Sequence, residues 1–423
     1  MSVPLSDLPY GFAGGFASPS MRQSLLWRAG STQLANQTIG WLWEAGRPGF
    51  LNSLGSTASL TLFNLLWVYL PPGPAWTHEE WHRAVLTHRG ISSYDGVYHW
   101  DIGTNAIAVD HVTDLDLATL KSEHPADFTR LMEAGLESEV EANRLMRRNN
   151  FFLGRRSGYD LIDWWSTGVN GSLYIAFCAT DALDGDLLAM NQKETRESQR
   201  DFTGFDFRAW VHDMRHPEEA YADGPRGGTH PTGNGVDRYL LFSDLTGGER
   251  RYLKLQAGLS LLNFISPQFF GRDWLPGRAP WTGEAFLWNF GLLHHLTPFG
   301  YEVGGDFLLR HGKWSWVFTA QGFVNGEMVL PGAAAELFRY PVRLGTFGIF
   351  LNGGLSAWMQ PVDQNYHAAD PSPGIAGSIG AAIPLISSLE LFGEADAKSG
   401  GWMAGNVSLD PAVQARAGLQ LRL

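Results

Sequence analysis

The C-terminal stretch VQARAGLQLRL, residues 413–423, alternates between apolar and polar side chains. Successive side chains of a β-strand point to opposite faces of its sheet, so this period of two predicts a strand with one apolar and one polar face. Such a strand fits a soluble sheet with one solvated face, and it also fits a sheet whose apolar face contacts lipid.

Segments of similar character precede this stretch along the chain. We expect strands near 252–261, 284–295, 300–311, 314–326, 335–344, 346–358, 374–385 and 387–396. Turn signals such as Asn325-Gly326 separate many of them. We therefore divide the chain into a mainly helical, membrane-associated region at 1–190, a polar loop region at 191–250 and antiparallel strands at 251–423.

The composition favours the lipid-facing alternative. Only 17% of the 423 residues are charged, against about 25% in a typical soluble domain. Aromatic residues reach 13% and glycine accounts for 50 residues, yet the mean hydropathy is only −0.14. Strands with one lipid-facing side and one polar side produce this combination. The predicted fold class is α+β, with a helical region attached to or inserted in an antiparallel transmembrane β-barrel resembling those of the bacterial outer membrane.

Other broad classes fit less well. The net charge of −12 gives no electrostatic footprint for nucleic acid. The start of the chain, MSVPLSD, lacks the basic and apolar segments of a signal peptide. We expect an outer-membrane location with the export signal already removed, and a cytoplasmic protein is the alternative. Cys178 is the single cysteine, which excludes an intramolecular disulfide.

The clearest chemical motif is His78-Glu79-Glu80-Trp81-His82, which matches H-E-x-x-H. We expect a helix over 77–87 with Thr77 as its N-cap. Residues i and i+4 of a helix share one face, so both imidazoles can bind one Zn²⁺. Glu79 lies beside them and can accept a proton from a metal-bound water. The alternative is an incidental pair of core or solvated histidines.

A catalytic zinc site needs a third protein ligand. His88 stands at the spacing of the third histidine in metzincins, but Val85 replaces the glycine at which that chain turns. If the helix continues, His88 faces away from His82, because the six intervening steps rotate it by about 240°. His88 is therefore the weaker of two candidates.

The stronger candidate is Glu139, on a helix predicted around 136–144. Helical projection places Glu139 alone among apolar side chains, and places Glu137 and Glu141 on a solvated face with Arg144. A carboxylate on an apolar face is costly unless it binds a metal or pairs with a buried arginine. Both explanations of Glu139 are open at this point.

These two motifs together resemble those of a known family. H-E-x-x-H followed by Glu139-Val140-Glu141-Ala142-Asn143 resembles the gluzincins, most closely the membrane-bound zinc peptidases of the CAAX prenyl protease type, whose second motif is E-x-x-A-D. The resemblance implies His78, His82 and Glu139 as Zn²⁺ ligands and Glu79 as the general base. It covers residues 75–150 and departs at Asn143, where the family has Asp. Because that family is multi-spanning and helical, the resemblance concerns the site alone.

The polar region that follows offers further candidates. We expect His230 and Tyr239 to polarise the scissile carbonyl of a substrate, and a solvated loop is the alternative. The predicted function is a zinc metallopeptidase of the outer membrane, with membrane lipid around it and a polypeptide at or in the membrane as its substrate. Two other functions fit the sequence: a pore or transport protein without catalysis, and a metal-dependent lipid or ester hydrolase.

Overall fold

A computed structural model describes residues 2–10, 18–44, 49–99, 108–279, 283–345 and 347–421. The helices of these residues, in chain order, are α1 (Met21–Glu44), α2 (Phe50–Trp67), α3 (Pro74–His88), α4 (Asp114–Glu123), α5 (Pro125–Leu153), α6 (Ser157–Cys178), α7 (Asp184–Asn191), α8 (Asp206–Arg215) and α9 (Gly247–Leu259). The strands are β1 (Ser2–Leu8), β2 (Tyr94–Asp95), β3 (Val109–Asp110), β4 (Leu275–Arg278), β5 (Ala285–Thr297), β6 (Gly300–His311), β7 (Trp314–Val324), β8 (Val329–Leu344), β9 (Phe347–Pro361), β10 (Pro371–Ile386), β11 (Leu389–Lys398) and β12 (Ala412–Leu421).

Ten strands form one antiparallel sheet, in the order β1-β12-β11-β10-β9-β8-β7-β6-β5-β4. The strands predicted from 284 onwards are confirmed, although Arg422 and Leu423 of the last one lie outside the described residues. β1 and β4 are the edges of the described sheet, and no ladder joins them within the described residues. The mixed α+β class is therefore confirmed, with an N-terminal helical region and a C-terminal antiparallel sheet.

The two faces of the sheet differ in polarity. Apolar side chains of one face are exposed, including Leu355 at 69%, Ile379 at 72% and Val413 at 72%. The other face is buried and polar. Its buried side chains include Glu302, Asp306, Gln360, Glu390, Gln414 and Arg416. This distribution is the reverse of a soluble sheet, which buries its apolar face.

Helix α5 packs against the buried polar face of the sheet. Arg144 and Arg147 donate hydrogen bonds to Asp306 of β6 at 2.8 and 2.7 Å, and Arg148 donates to Glu336 of β8 at 2.6 Å. The other side of α5 contacts α3 and α8 in the main apolar core, which includes Trp81, Phe128 and Trp210. Helix α5 therefore connects the helical region with the sheet.

Several local predictions were wrong. The segment 252–261, predicted as a strand, lies mostly in α9, which begins at a capping box formed by Thr246 and Glu249. Helix α3 begins at Pro74, so Thr77 is not its N-cap; the Thr77 hydroxyl instead donates to the Gly73 carbonyl within the helix. Residues 191–250 are not all loop, because α8 and the start of α9 lie there.

Among the described residues, no helix combines the length and the apolar character that crossing a membrane requires.

Candidate metal centre

The H-E-x-x-H motif lies where α3 crosses α5. His78 and His82 are one helical turn apart on α3 and face Gly135 of α5. A Cβ atom built on residue 135 would lie 2.5 Å from His82 Nε2 and closer still to His78 Nε2. Both rings therefore pack directly against the Gly135 backbone, and only glycine fits at this position of α5 without displacing them.

A third potential ligand reaches the two imidazoles from α8. Asp206 Oδ2 lies 3.5 Å from His78 Nε2 and 3.5 Å from His82 Nε2. Ligand atoms bound tetrahedrally to zinc at about 2.0–2.1 Å are roughly 3.3 Å apart, so the observed separations fit one shared ion. Among the described residues, these three side chains form one of two groups with ligand atoms close enough to share an ion.

The remaining ring nitrogens are anchored by the protein. His82 Nδ1 lies 2.5 Å from the Leu131 carbonyl, which can only accept, so Nδ1 donates this hydrogen bond and Nε2 faces Asp206. His82 Nε2 is buried and makes no hydrogen bond within the described part of the chain. A histidine that donates one N–H to a carbonyl or carboxylate and turns its other nitrogen into a buried space is oriented as metal ligands are.

Glu139 performs this anchoring for His78. Its Oε1 lies 3.3 Å from His78 Nδ1 and accepts a hydrogen bond from Asn170 Nδ2 at 2.9 Å. The structure thus brings Glu139 to the cluster, but on the ring nitrogen of His78 that faces away from Asp206. In this geometry Asp206 Oδ2 has the position of a third potential ligand, and Glu139 has that of a residue that orients His78. Direct ligation by Glu139 stays a prediction, which the variants described below distinguish.

The other acids of α5 are not solvated as predicted. Glu137 is buried, pairs with Arg130 at 3.1 Å and accepts a hydrogen bond from the Gly405 backbone N–H. Glu141 is also buried and pairs with Arg144 at 3.1 Å. The predicted ion pair is therefore confirmed, whereas the predicted solvent exposure of Glu141 is wrong. Residues from the sheet and its loops cover this face of α5, and helical projection cannot detect partners so distant in sequence.

The carboxyl groups of Glu79 and Asp206 have pKa values shifted in opposite directions. Burial raises the pKa of Glu79 well above its usual range, since Asp95 adds to the effect and His78 only partly opposes it. Burial also acts to raise the pKa of Asp206, but His82 and His78 beside it outweigh burial and lower the pKa to about 2. Asp206 is thus an anion at neutral pH, and Glu79 is a carboxyl with increased proton affinity.

Sequence reasoning missed Asp206 because it lies in a region rich in polar residues. A signal was present: Phe207, Trp210, Val211 and Met214 have the i, i+3, i+4, i+7 spacing of an amphipathic helix, and all four are buried. That spacing predicts a helix that begins at Asp206, where an acidic residue is favoured by the helix dipole.

Three other candidate residues lie apart from the cluster. His88 ends α3 and packs edge-on against Tyr10. His230 pairs with the Thr232 hydroxyl at 2.8 Å, and the Tyr239 hydroxyl donates to Glu194 at 2.7 Å. None of the three has a hydrogen bond or ring contact with His78, His82 or Asp206 in the described part of the chain. The catalytic roles of His230 and Tyr239 stay predictions.

A cleft between α5, α6 and β5 reaches the cluster at Glu139. Apolar side chains line much of it, including Leu136, Val140, Trp164 and Leu292. Its volume of about 20 Å³ is roughly that of a single water molecule.

Comparison of the chain with models of protein families, with curated proteins and with solved structures found no match.

Proposed function

We propose that this protein is a zinc-dependent peptidase in which His78, His82 and Asp206 bind the ion and Glu79 is the general base. The observation that carries the proposal is the convergence of His78 Nε2 and His82 Nε2 on one oxygen of Asp206, each at 3.5 Å, close enough for the three atoms to share an ion. Each imidazole is fixed by a hydrogen bond at its other nitrogen, and the buried Nε2 of His82 lacks a partner among the described residues.

The residues around the proposed ion have different roles in hydrolysis. A zinc ion bound there would activate a water molecule at neutral pH. Glu79 accepts the proton of the attacking water and passes it to the nitrogen of the leaving group. Burial raises the pKa of Glu79, which favours its acceptance of a proton. Glu139 and Leu131 hold the two imidazoles in place.

We further propose that the exposed apolar face of the sheet contacts lipid of the outer membrane. Its support is the reversed polarity of the sheet, with Ile379 and Val413 exposed while Asp306 and Arg416 are buried. In water such a surface would favour aggregation, whereas in a bilayer it is the stable arrangement. The substrate is then a polypeptide at or in the membrane.

A transport function is the second candidate, because a polar cavity lies between α5 and the sheet. Arg144, Glu336, Asp396 and Arg416 are among the residues that line it. Arg148 of α5 and Glu336 of β8 both line this cavity and pair with each other, which favours a plugged interior over an open pore. Ion conductance in liposomes without any hydrolysis would support transport. Hydrolysis of esters in preference to peptides would support a lipid or ester hydrolase.

The test of the peptidase is Glu79→Gln, with Glu80→Gln as its matched control. Glu80 is also buried on α3, but its carboxylate pairs with Arg83 at 2.6 Å. We expect Glu79→Gln to keep its zinc and to lose about 10²–10⁴-fold in turnover of a quenched-fluorescence peptide library. We expect Glu80→Gln to retain turnover wherever it folds. Full activity in Glu79→Gln would exclude the mechanism.

A further inference from the structure

A second group of histidines and carboxylates lies at the other end of α8. His212 is near the last turn of α8, His216 follows the helix, and Glu249 is in the first turn of α9. Glu249 Oε1 lies 3.5 Å from His212 Nδ1 and 3.2 Å from His216 Nε2. These three residues, called here the second cluster, have ligand atoms close enough to share one ion.

The central oxygen of the second cluster is buried and lacks a hydrogen bond. Glu249 is only 1% exposed, and its Oε2 accepts a hydrogen bond from the Thr246 backbone N–H at 2.6 Å. Its Oε1 has no hydrogen-bond partner within the described residues, although it faces both imidazoles. A buried carboxylate oxygen without a donor is costly, and a cation between it and the two rings would remove that cost.

His212 is oriented as His78 is. Its Nε2 lies 3.0 Å from Glu219 Oε1, so this nitrogen donates to a carboxylate while Nδ1 faces Glu249. A carboxylate behind a histidine fixes the tautomer that leaves the opposite nitrogen free for a metal. The side chain of His216 is 41% exposed, which gives an ion and a water ligand access from solvent.

We propose that the second cluster binds a divalent transition cation such as Zn²⁺, through His212 Nδ1, His216 Nε2 and Glu249 Oε1. Two neutral imidazoles and a carboxylate form a donor set that zinc accepts. The ion would tie the C-terminal end of α8 to the first turn of α9. Because Asp206 begins α8, the ion would also stabilise the helix that supplies Asp206 to the first site. That consequence rests on the proposed function, whereas cation binding itself does not.

The experiment measures zinc bound per chain in the full-length protein after equilibration with Zn²⁺ and removal of excess. The wild type should bind two equivalents, His216→Ala one and His78→Ala one. His311→Ala is the matched control, since His311 is also 41% exposed in its side chain and pairs with Glu284 at 2.9 Å on the sheet. It should keep both equivalents.

A second measurement separates the two sites in stability. Zn²⁺ should still raise the Tm of His78→Ala, and this rise should disappear in the double variant His78→Ala/His216→Ala. Two equivalents retained by His216→Ala would overturn the proposal, as would a wild type that binds one equivalent and loses it in His78→Ala. In the latter case the residues of the second cluster form only histidine–carboxylate ion pairs, and the proposal for the first site is unaffected. A wild type that binds one equivalent and keeps it in His78→Ala would instead count against the first site alone.

Discussion

Replacing Gly135 by alanine tests the location of the first site most directly. The new methyl group would lie 2.5 Å from His82 Nε2 and nearer to His78 Nε2, whereas Cβ atoms essentially never approach another atom within 3.0 Å. The rings or α5 must therefore move by at least about 0.5 Å, and overpacking of this kind costs about 1–3 kcal/mol. Zinc sites tolerate ligand displacements of only about 0.2 Å, so zinc affinity should fall by about 100-fold or more.

The assay is competition for Zn²⁺ with a chromophoric chelator, combined with urea unfolding of the zinc-free protein. The matched control is Gly258→Ala on α9, because a Cβ on Gly258 meets nothing within 4 Å. That variant should bind zinc normally and gain up to about 1 kcal/mol of stability from the loss of a helical glycine. If Gly135→Ala binds zinc with wild-type affinity, the ion does not lie between the two Nε2 atoms and the reasoning fails.

Three further predictions concern the third ligand, a buried acid near the motif and the exposed face of the sheet. Asp206→Ala should weaken zinc binding by more than 100-fold and Glu139→Ala by about 10–100-fold, because we propose Asp206 as a ligand and Glu139 as the residue that orients His78. Chelator competition that gave the reverse order would favour Glu139 as the third ligand. Burial raises the pKa of Asp95, so the folded state keeps a proton that the unfolded state releases above about pH 4, and the free energy of unfolding should decrease as the pH rises from there. Between pH 5 and pH 8, urea unfolding should show a smaller decrease for Asp95→Asn than for the wild type. An equal decrease would contradict a raised pKa at Asp95. Ile379→Lys should destabilise the protein by about 2–4 kcal/mol in lipid vesicles, and a change within about 0.5 kcal/mol would count against a lipid-facing sheet.

The sequence was sufficient to predict elements whose pattern is local. Strands β5–β12 could be located because each alternates along its own length and is bounded by turns, and His78 and His82 could be paired because i and i+4 lie on one helical face. The break between α4 and α5 at His124-Pro125 was also predictable, since proline is excluded from a helix interior.

The features that could not be predicted from the sequence depend on contacts between segments that are distant along the chain. Glu139 and Asp206 lie on different helices, and only the packing of α5 and α8 around α3 decides which nitrogen of His78 each one faces. Glu137 had the helical position of a solvated residue, yet a loop near Gly405 covers it. The strand predicted at 252–261 failed because the capping box of Thr246 and Glu249, which starts a helix there, was not recognised.

Helix α5 explains why the motif and the sheet occur in one chain. Gly135 and Glu139 contact the two histidines, and about one and a half turns beyond Glu139 the Arg144 guanidinium donates two hydrogen bonds to Asp306 of β6. Such buried ion pairs add little net stability, because desolvation offsets their attraction, but they hold only in one register of helix and sheet. A shift of α5 along its axis would break them and would also move Gly135 away from the two imidazoles. The ion pairs therefore fix the position of the proposed site relative to the surface that we assign to the membrane. A substrate embedded in or near lipid would have to bind close to that surface.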